Sequence, residues 1–158
     1  MRKWIALALA IVIADQLVKF WIVQKFALHE TLYVTPFFNL VYVRNTGAAF
    51  SMFANAGGWQ RFFFIGVAVI ACVWVVWLLR KHPTEKFFCL ALAMILGGAI
   101  GNLIDRVLFG SVVDFVQVHY GGYFFPAFNV ADSAISVGAG LMIWDGLFPK
   151  RSDVIEST

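Results

Sequence analysis

Charge is scarce in this chain. Asp, Glu, Lys and Arg make up 13% of its 158 residues, against about 25% in an ordinary globular protein. Hydrophobic residues make up 61%, and the mean hydropathy is +0.82. That balance excludes a disordered chain and argues against a soluble enzyme, because too little polar surface is left to cover so much apolar mass. A protein whose solvent is mostly lipid is implied. Cysteine is almost as rare. Cys72 and Cys89 both lie inside apolar runs, which excludes a disulfide framework and leaves them as small packing residues. No CxxC motif or Cys/His cluster occurs, and His29, His82 and His119 are scattered in expected loops. Neither a metal site nor a cofactor is expected. Internal repeats and low-complexity tracts are also lacking.

The positive excess is small, with a net charge of +3 and a sequence pI of about 9.0. Seven of the twelve Lys and Arg fall in three clusters: Arg2-Lys3, Arg80-Lys81 with Lys86, and Lys150-Arg151. No basic patch tracks a phosphate backbone, so no nucleic-acid partner is expected. The clusters read instead as topology signals.

Residues 62–79 and 87–104 carry no charge. Each is long enough to cross the hydrocarbon core as a helix. Residues 4–26 and 132–148 are also apolar, but hold Asp15 and Lys19, and Asp132 and Asp145. They span only if those groups face a bundle interior, a water-filled pocket or the interface. The first stretch has no small-residue cleavage site after it and reads as a permanent anchor. The expectation is one integral membrane domain over 1–158, an all-α bundle of four transmembrane helices at about 4–26, 62–79, 87–106 and 132–148. Putting the basic clusters in the cytoplasm places both termini there and sends segments of about 27–60 and 107–131 to the outer face. These contain extended-looking stretches, Phe37 to Arg44 and Val112 to Val118, which could form a small sheet on the membrane surface. Trp59, Tyr120, Tyr123, Phe124 and Phe125 suit the interfacial belt.

The polar residues then need reasons. Asn129 suits an N-cap, which puts Asp132 at the third helical position, where a carboxylate favours the helix dipole. Asp114, within Val-Val-Asp-Phe-Val, could be a solvent-facing strand residue. Both acids belong to the same membrane face. If they converge they can share one proton, the ionised member deprotonating water while the protonated one polarises a carbonyl. Gly97 and Gly101 have the GxxxG spacing of close helix approach. Asn102, Asp105 and Arg106 follow on the same helix end, either as a packing face with a snorkelling Arg or as groups that brace the outer site and hold substrate backbone. Asp15 and Lys19, four apart, read as an ion pair inside the bundle or as a proton relay. Asn45 with Gly47 is a turn, or presents an amide to a bound peptide.

Five stretches in order now form a pattern: Asp15 with Lys19, Asn45-Thr46-Gly47-Ala48-Ala49-Phe50, Gly101-Asn102-Leu103-Ile104-Asp105-Arg106, Val113-Asp114-Phe115, and Phe128-Asn129-Val130-Ala131-Asp132-Ser133-Ala134. The chain closely resembles the bacterial lipoprotein signal peptidases, or signal peptidase II family, over essentially its whole length. The resemblance implies an aspartyl endopeptidase of the bacterial inner membrane that cleaves lipidated prolipoproteins on the amino side of the diacylglyceryl-cysteine. It implies a catalytic dyad of Asp114 and Asp132, and pocket positions at Asn45, Gly47, Asn102, Asp105, Arg106 and Asn129. Asp15 and Lys19 match the family's first-helix pair. It further implies a small extracytoplasmic β-cradle, contact with membrane lipid, a monomer with its active site at the outer leaflet, and inhibition by the cyclic peptide globomycin. Two rival readings remain at this point. A four-helix proton-coupled transporter would use Asp15, Lys19 and Asp145 as buried proton groups. A membrane scaffold would use its outer segments to bind a partner.

Overall fold

The computed structural model describes residues 1–47 and 58–148. Ala48, Ala49 and Phe50 of the second motif, and the Lys150-Arg151 cluster, lie outside the described residues. In chain order the elements are α1 (Arg2–Lys25), β1 (Thr31–Thr35), β2 (Phe38–Asn45), α2 (Trp59–Lys81), α3 (Lys86–Phe109), β3 (Val112–Tyr120), β4 (Tyr123–Phe124) and α4 (Val130–Leu147). All four helices are long and apolar enough to cross a membrane. Their outward faces carry large apolar side chains such as Leu17, Phe20, Phe62, Ile70, Trp74 and Ile143, each half exposed or more. A water-soluble surface rarely gathers this much contiguous apolar area, and it suits contact with lipid.

Helix ends differ from the sequence reading by one to three residues, and the two largest differences have simple reasons. A charge-free stretch begins at 62, but α2 begins at Trp59 because a helical first turn accommodates Gln60 and Arg61. α3 continues past 106 to Phe109, where Gly110 at φ +75° closes it with a left-handed residue.

α3 is the central helix, and glycine is what lets its neighbours approach. A Cβ on Gly97 would lie 2.8 Å from both Ala8 O and Ile11 Cβ of α1. One on Gly101 would lie 2.8 Å from Asp15 Oδ2. Gly98 has the same relation to the Ala131 carbonyl of α4. One core cluster, built on Ala8, Val75, Leu79, Cys89, Leu92 and Leu96, joins α1, α2 and α3.

The four strands form an antiparallel sheet in the order β1-β2-β3-β4. The sequence anticipated β2 and β3 but neither β1 nor β4, which are short and exposed. β3 turns into β4 through Gly121 and Gly122, both at positive φ, as a two-residue hairpin requires. His119, expected in a loop, is instead a β3 residue whose ring nitrogen meets Asn39 Oδ1 at 3.1 Å. Tyr42, Val113 and Phe115 pack with Ile22 of α1, seating the sheet on the end of the bundle. Burial of side chains this large stabilises by about 1.5–3 kcal/mol each. Val43 pairs with Asp114 across β2 and β3, so the sheet carries an acid to where α3 ends and α4 begins.

Candidate active site

α1 brings three polar groups to a depth where hydrocarbon would not tolerate them alone. Lys19 Nζ lies 2.8 Å from Asp15 Oδ2 and 2.9 Å from Asp105 Oδ2, and donates to Asn102 Oδ1 at 3.0 Å. The expected pair is therefore a three-membered charge cluster, and Asp15, Lys19 and Asp105 are all buried. Each carboxylate also accepts one backbone amide. Asp15 Oδ1 takes the N–H of Ala131 at 2.9 Å, and Asp105 Oδ2 takes that of Val113 at 3.0 Å. Ala131 immediately precedes Asp132, and Val113 immediately precedes Asp114. One lysine thus ties together two acids that anchor the backbone beside the two candidate catalytic residues. Gln16 completes the cluster, donating to Asp105 Oδ1 at 2.9 Å and to the Gly101 carbonyl at 3.1 Å.

Two asparagines carry this order to the acids. Asn102 Oδ1 accepts from the Lys19 ammonium, so its amide nitrogen must face the other way, where it donates to Asp132 Oδ1 at 2.7 Å. Asn129 caps α4 as its sequence position suggests, with Oδ1 accepting from the Asp132 N–H at 2.8 Å. Its nitrogen donates to Asp114 Oδ1 at 2.7 Å, and more weakly to Asn102 Oδ1 at 3.2 Å. The two acids are thereby linked through two amides whose orientations leave no alternative.

Above them lies a cavity of about 860 Å³, walled by α3, α4 and the sheet. Asp114 and Asp132 both line it, as do Asn45, Gly47, Asn102 and Arg106. Asn45 Nδ2 donates to Asp114 Oδ2 at 3.2 Å, and its Oδ1 accepts from the Gly47 N–H at 2.9 Å. The Gly47 carbonyl in turn accepts from Arg106 Nη2 at 3.3 Å. Asp105 and Asn129, expected among the pocket residues, are not on the cavity wall. They are fully buried and brace it from behind, because each spends its side chain on Lys19, backbone amides or the acids themselves.

Asp114 is only 2% exposed, and its carboxyl is raised from the usual 3.8 to about 7. Burial is the largest cause, and the charge of Asp132 adds to it. Hydrogen bonds from Asn129 and Asn45, with the more distant Lys19, pull the other way without winning. Such a group holds a proton through mildly acid pH and releases it near neutrality. An ionisable acid beside a second acid in a mostly apolar cleft can activate water and protonate a carbonyl in turn. Among the described residues no group of three or more His, Cys, Asp or Glu is arranged to hold a metal ion.

Several cavity residues escaped the sequence reading. Gln117 and His29 belong to the sheet and the turn before it, while Ser133 and Ser136 belong to α4. Ser136 was accessible to reasoning, since it lies four residues after Asp132 on the same helical face. His29 and Gln117 depend on strand register, which the sequence does not fix.

Comparison with known proteins places this arrangement among relatives. The family described as Signal peptidase (SPase) II matches residues 7–148. The chain is 54% identical over 144 residues to the lipoprotein signal peptidase of Cupriavidus taiwanensis, covering 91% of this chain and 82% of that one. It is 52% identical over 147 residues to that of Janthinobacterium sp., covering 93% and 89%. A bacterial membrane enzyme solved by the in meso method at 1.9 Å resolution superposes with a TM-score of 0.83 at 34% identity, over 95% of this chain and 96% of that one.

Proposed function

The chain belongs to the signal peptidase II family, and from that premise we propose that Asp114 and Asp132 are the dyad with which it cuts its substrate. The protein is a multi-pass membrane peptidase of the aspartic type that removes signal peptides from lipoproteins. The transporter reading falls with this, and so does its use of Asp15 and Lys19 as moving proton groups. Cleavage is proposed to fall on the amino side of the lipidated cysteine. The single observation that carries the dyad is the amide chain Asp114–Asn129–Asn102–Asp132, whose two end acids line one cavity.

The chemistry is ordinary acid–base catalysis. In this reading Asp114, pushed up to about 7 by burial and by the charge of Asp132, starts the cycle protonated. Asp132 sits in the first turn of α4 and accepts the Asn102 amide. It is assigned the role of base, with its other carboxylate oxygen left to meet a water in the cavity. Asp132 takes a proton from water as the oxygen attacks the scissile carbonyl, and Asp114 gives its proton to the carbonyl oxygen. The tetrahedral diol collapses: one hydroxyl returns its proton to Asp114 as the carbonyl reforms, the C–N bond breaks, and the departing nitrogen takes a proton from Asp132. A new carboxylic acid and a new amine result, and the dyad regains its starting charge.

The substrate's signal segment is a helix in lipid, so its backbone must open at the scissile bond and its freed amide groups need partners. Arg106, Asn45 and the Gly47 backbone line the cavity beside Asp114 and are the proposed holders. The acyl chains stay in bilayer, and the cyclic peptide globomycin would occupy the same cleft. Both termini are placed in the cytoplasm, with the sheet and dyad at the outer leaflet, and the protein is read as acting as a monomer. A lipidated prolipoprotein peptide incubated with the purified enzyme and a metal chelator tests the reading. One new N-terminus, the lipidated cysteine, is expected at an undiminished rate. Chelator-sensitive cutting, or a different new terminus, would overturn it.

A further inference from the structure

Arg61 has no part in the chemistry above, yet two of its guanidinium nitrogens reach the site's own helix. It belongs to the first turn of α2. Its Nε donates to the Arg106 carbonyl at 3.0 Å, and its Nη2 donates to the Val107 carbonyl at 2.7 Å. These are carbonyls of the last turn of α3, which ends at Phe109 and has no later turn to satisfy them. The Gly110 N–H covers only one, bonding Arg106 O at 3.1 Å. The side chain of Arg61 lies along Gly110, where a Cβ would come within 3.4 Å of its Cδ. A cation at this end also suits the helix dipole. One turn further along α2, the Phe64 ring sits 5.1 Å from the Arg106 guanidinium carbon, within the range of a cation–π contact.

α2 therefore grips Arg106 twice: Arg61 holds its backbone, and Phe64 lies under its charge. The rest of the Arg106 side chain is held lightly, by one 3.3 Å hydrogen bond to the Gly47 carbonyl. Among the described residues no carboxylate lies within ion-pair distance of it. A long cation with so few contacts has many rotamers to choose from, and two of its fixed points come from α2. We propose that Arg61, with Phe64, is a positioning residue that sets Arg106 for substrate binding, so that α2, the helix with the smallest buried share, takes part in the site from outside it. The proposal rests on the reading of Arg106 as a holder of substrate backbone.

A double-mutant cycle on cleavage of a lipidated peptide tests both layers separately. Arg106→Ala is expected to raise KM roughly tenfold or more, and Arg61→Ala roughly fivefold, with kcat changed less than twofold. Arg61→Lys restores part of the loss, because an ammonium still reaches one carbonyl. In the Arg106→Ala background, Arg61→Ala adds less than twofold. Phe64→Leu, which keeps an apolar side chain in α2 but removes the ring, is expected to raise KM by roughly two- to threefold. An unchanged KM in Arg106→Ala would overturn the binding role of Arg106, and the clamp with it. A full loss in Arg106→Ala joined to additive losses in the double variant, or to no KM change in both Arg61→Ala and Phe64→Leu, would overturn the clamp alone.

Discussion

At the scale of single residues, the decisive fact is that Asp114 pays for its burial in proton affinity. Its carboxyl titrates at about 7 when folded and near 3.8 when not. Between those values the folded chain binds the proton that the unfolded chain has lost, so stability falls as pH rises through the window and levels off above it. Asp114→Asn abolishes that dependence. The variant's melting temperature in detergent is expected to gain on the parent's between about pH 4 and pH 7, with little further change beyond. A constant difference across this range would mean that the carboxyl is not protonated in the fold. In the proposed mechanism the same proton serves the reaction, so kcat/KM for the parent enzyme should decline on an alkaline limb near pH 7. Much of this was legible from residue types alone. An acid between Val113 and Phe115, and another three residues into a helix capped by Asn129, could be picked out without coordinates. The reassignment of Asp105 could not, because a charged residue at a helix end reads the same whether it faces a pocket or supports one.

At the scale of elements, α1 is a spanning helix whose buried residues include an acid and a base. Lys19 shares its one positive charge between Asp15 and Asp105 only while it touches both. Removing it strands two carboxylates that the backbone amides of Ala131 and Val113 cannot fully satisfy. Lys19→Met is expected to destabilise the protein by about 3–5 kcal/mol, the range for breaking a buried ion pair from one side. Adding Asp15→Asn and Asp105→Asn should recover part of that loss, since no charge then remains without a partner. A loss under about 1 kcal/mol in thermal or denaturant unfolding of Lys19→Met would show the cluster to be solvated rather than buried. Four spans and two strands were readable from hydropathy and alternation. The lysine's second acid was not, because Asp105 lies far along the chain and only the close approach allowed by Gly97 and Gly101 brings α1 against α3 there. β1 and β4 escaped for a different reason. Short, exposed edge strands carry no hydrophobic alternation to read.

At the scale of the whole molecule, the arrangement divides labour. Three helices, α1, α3 and α4, meet through glycine and small side chains, the sheet sits on one end of the bundle, and α2, mostly exposed, approaches the proposed site through Arg61 and Phe64. The proposed dyad lies where these parts coincide: β3 delivers one acid, the start of α4 the other, and Asp15 of α1 and Asp105 of α3 fix the backbone beside them. Neither acid alone does both proton transfers in this scheme, so the two substitutions should cost nearly the same and should not add. The direct test is single-turnover cleavage of a lipidated prolipoprotein by Asp114→Asn, Asp132→Asn and the double variant, each shown to be folded and inserted. Rates lowered at least about 10³-fold by either change, and scarcely further by both, are expected for residues that act as a unit. Cleavage at near-parental rate by either single variant would contradict the two-carboxylate mechanism outright.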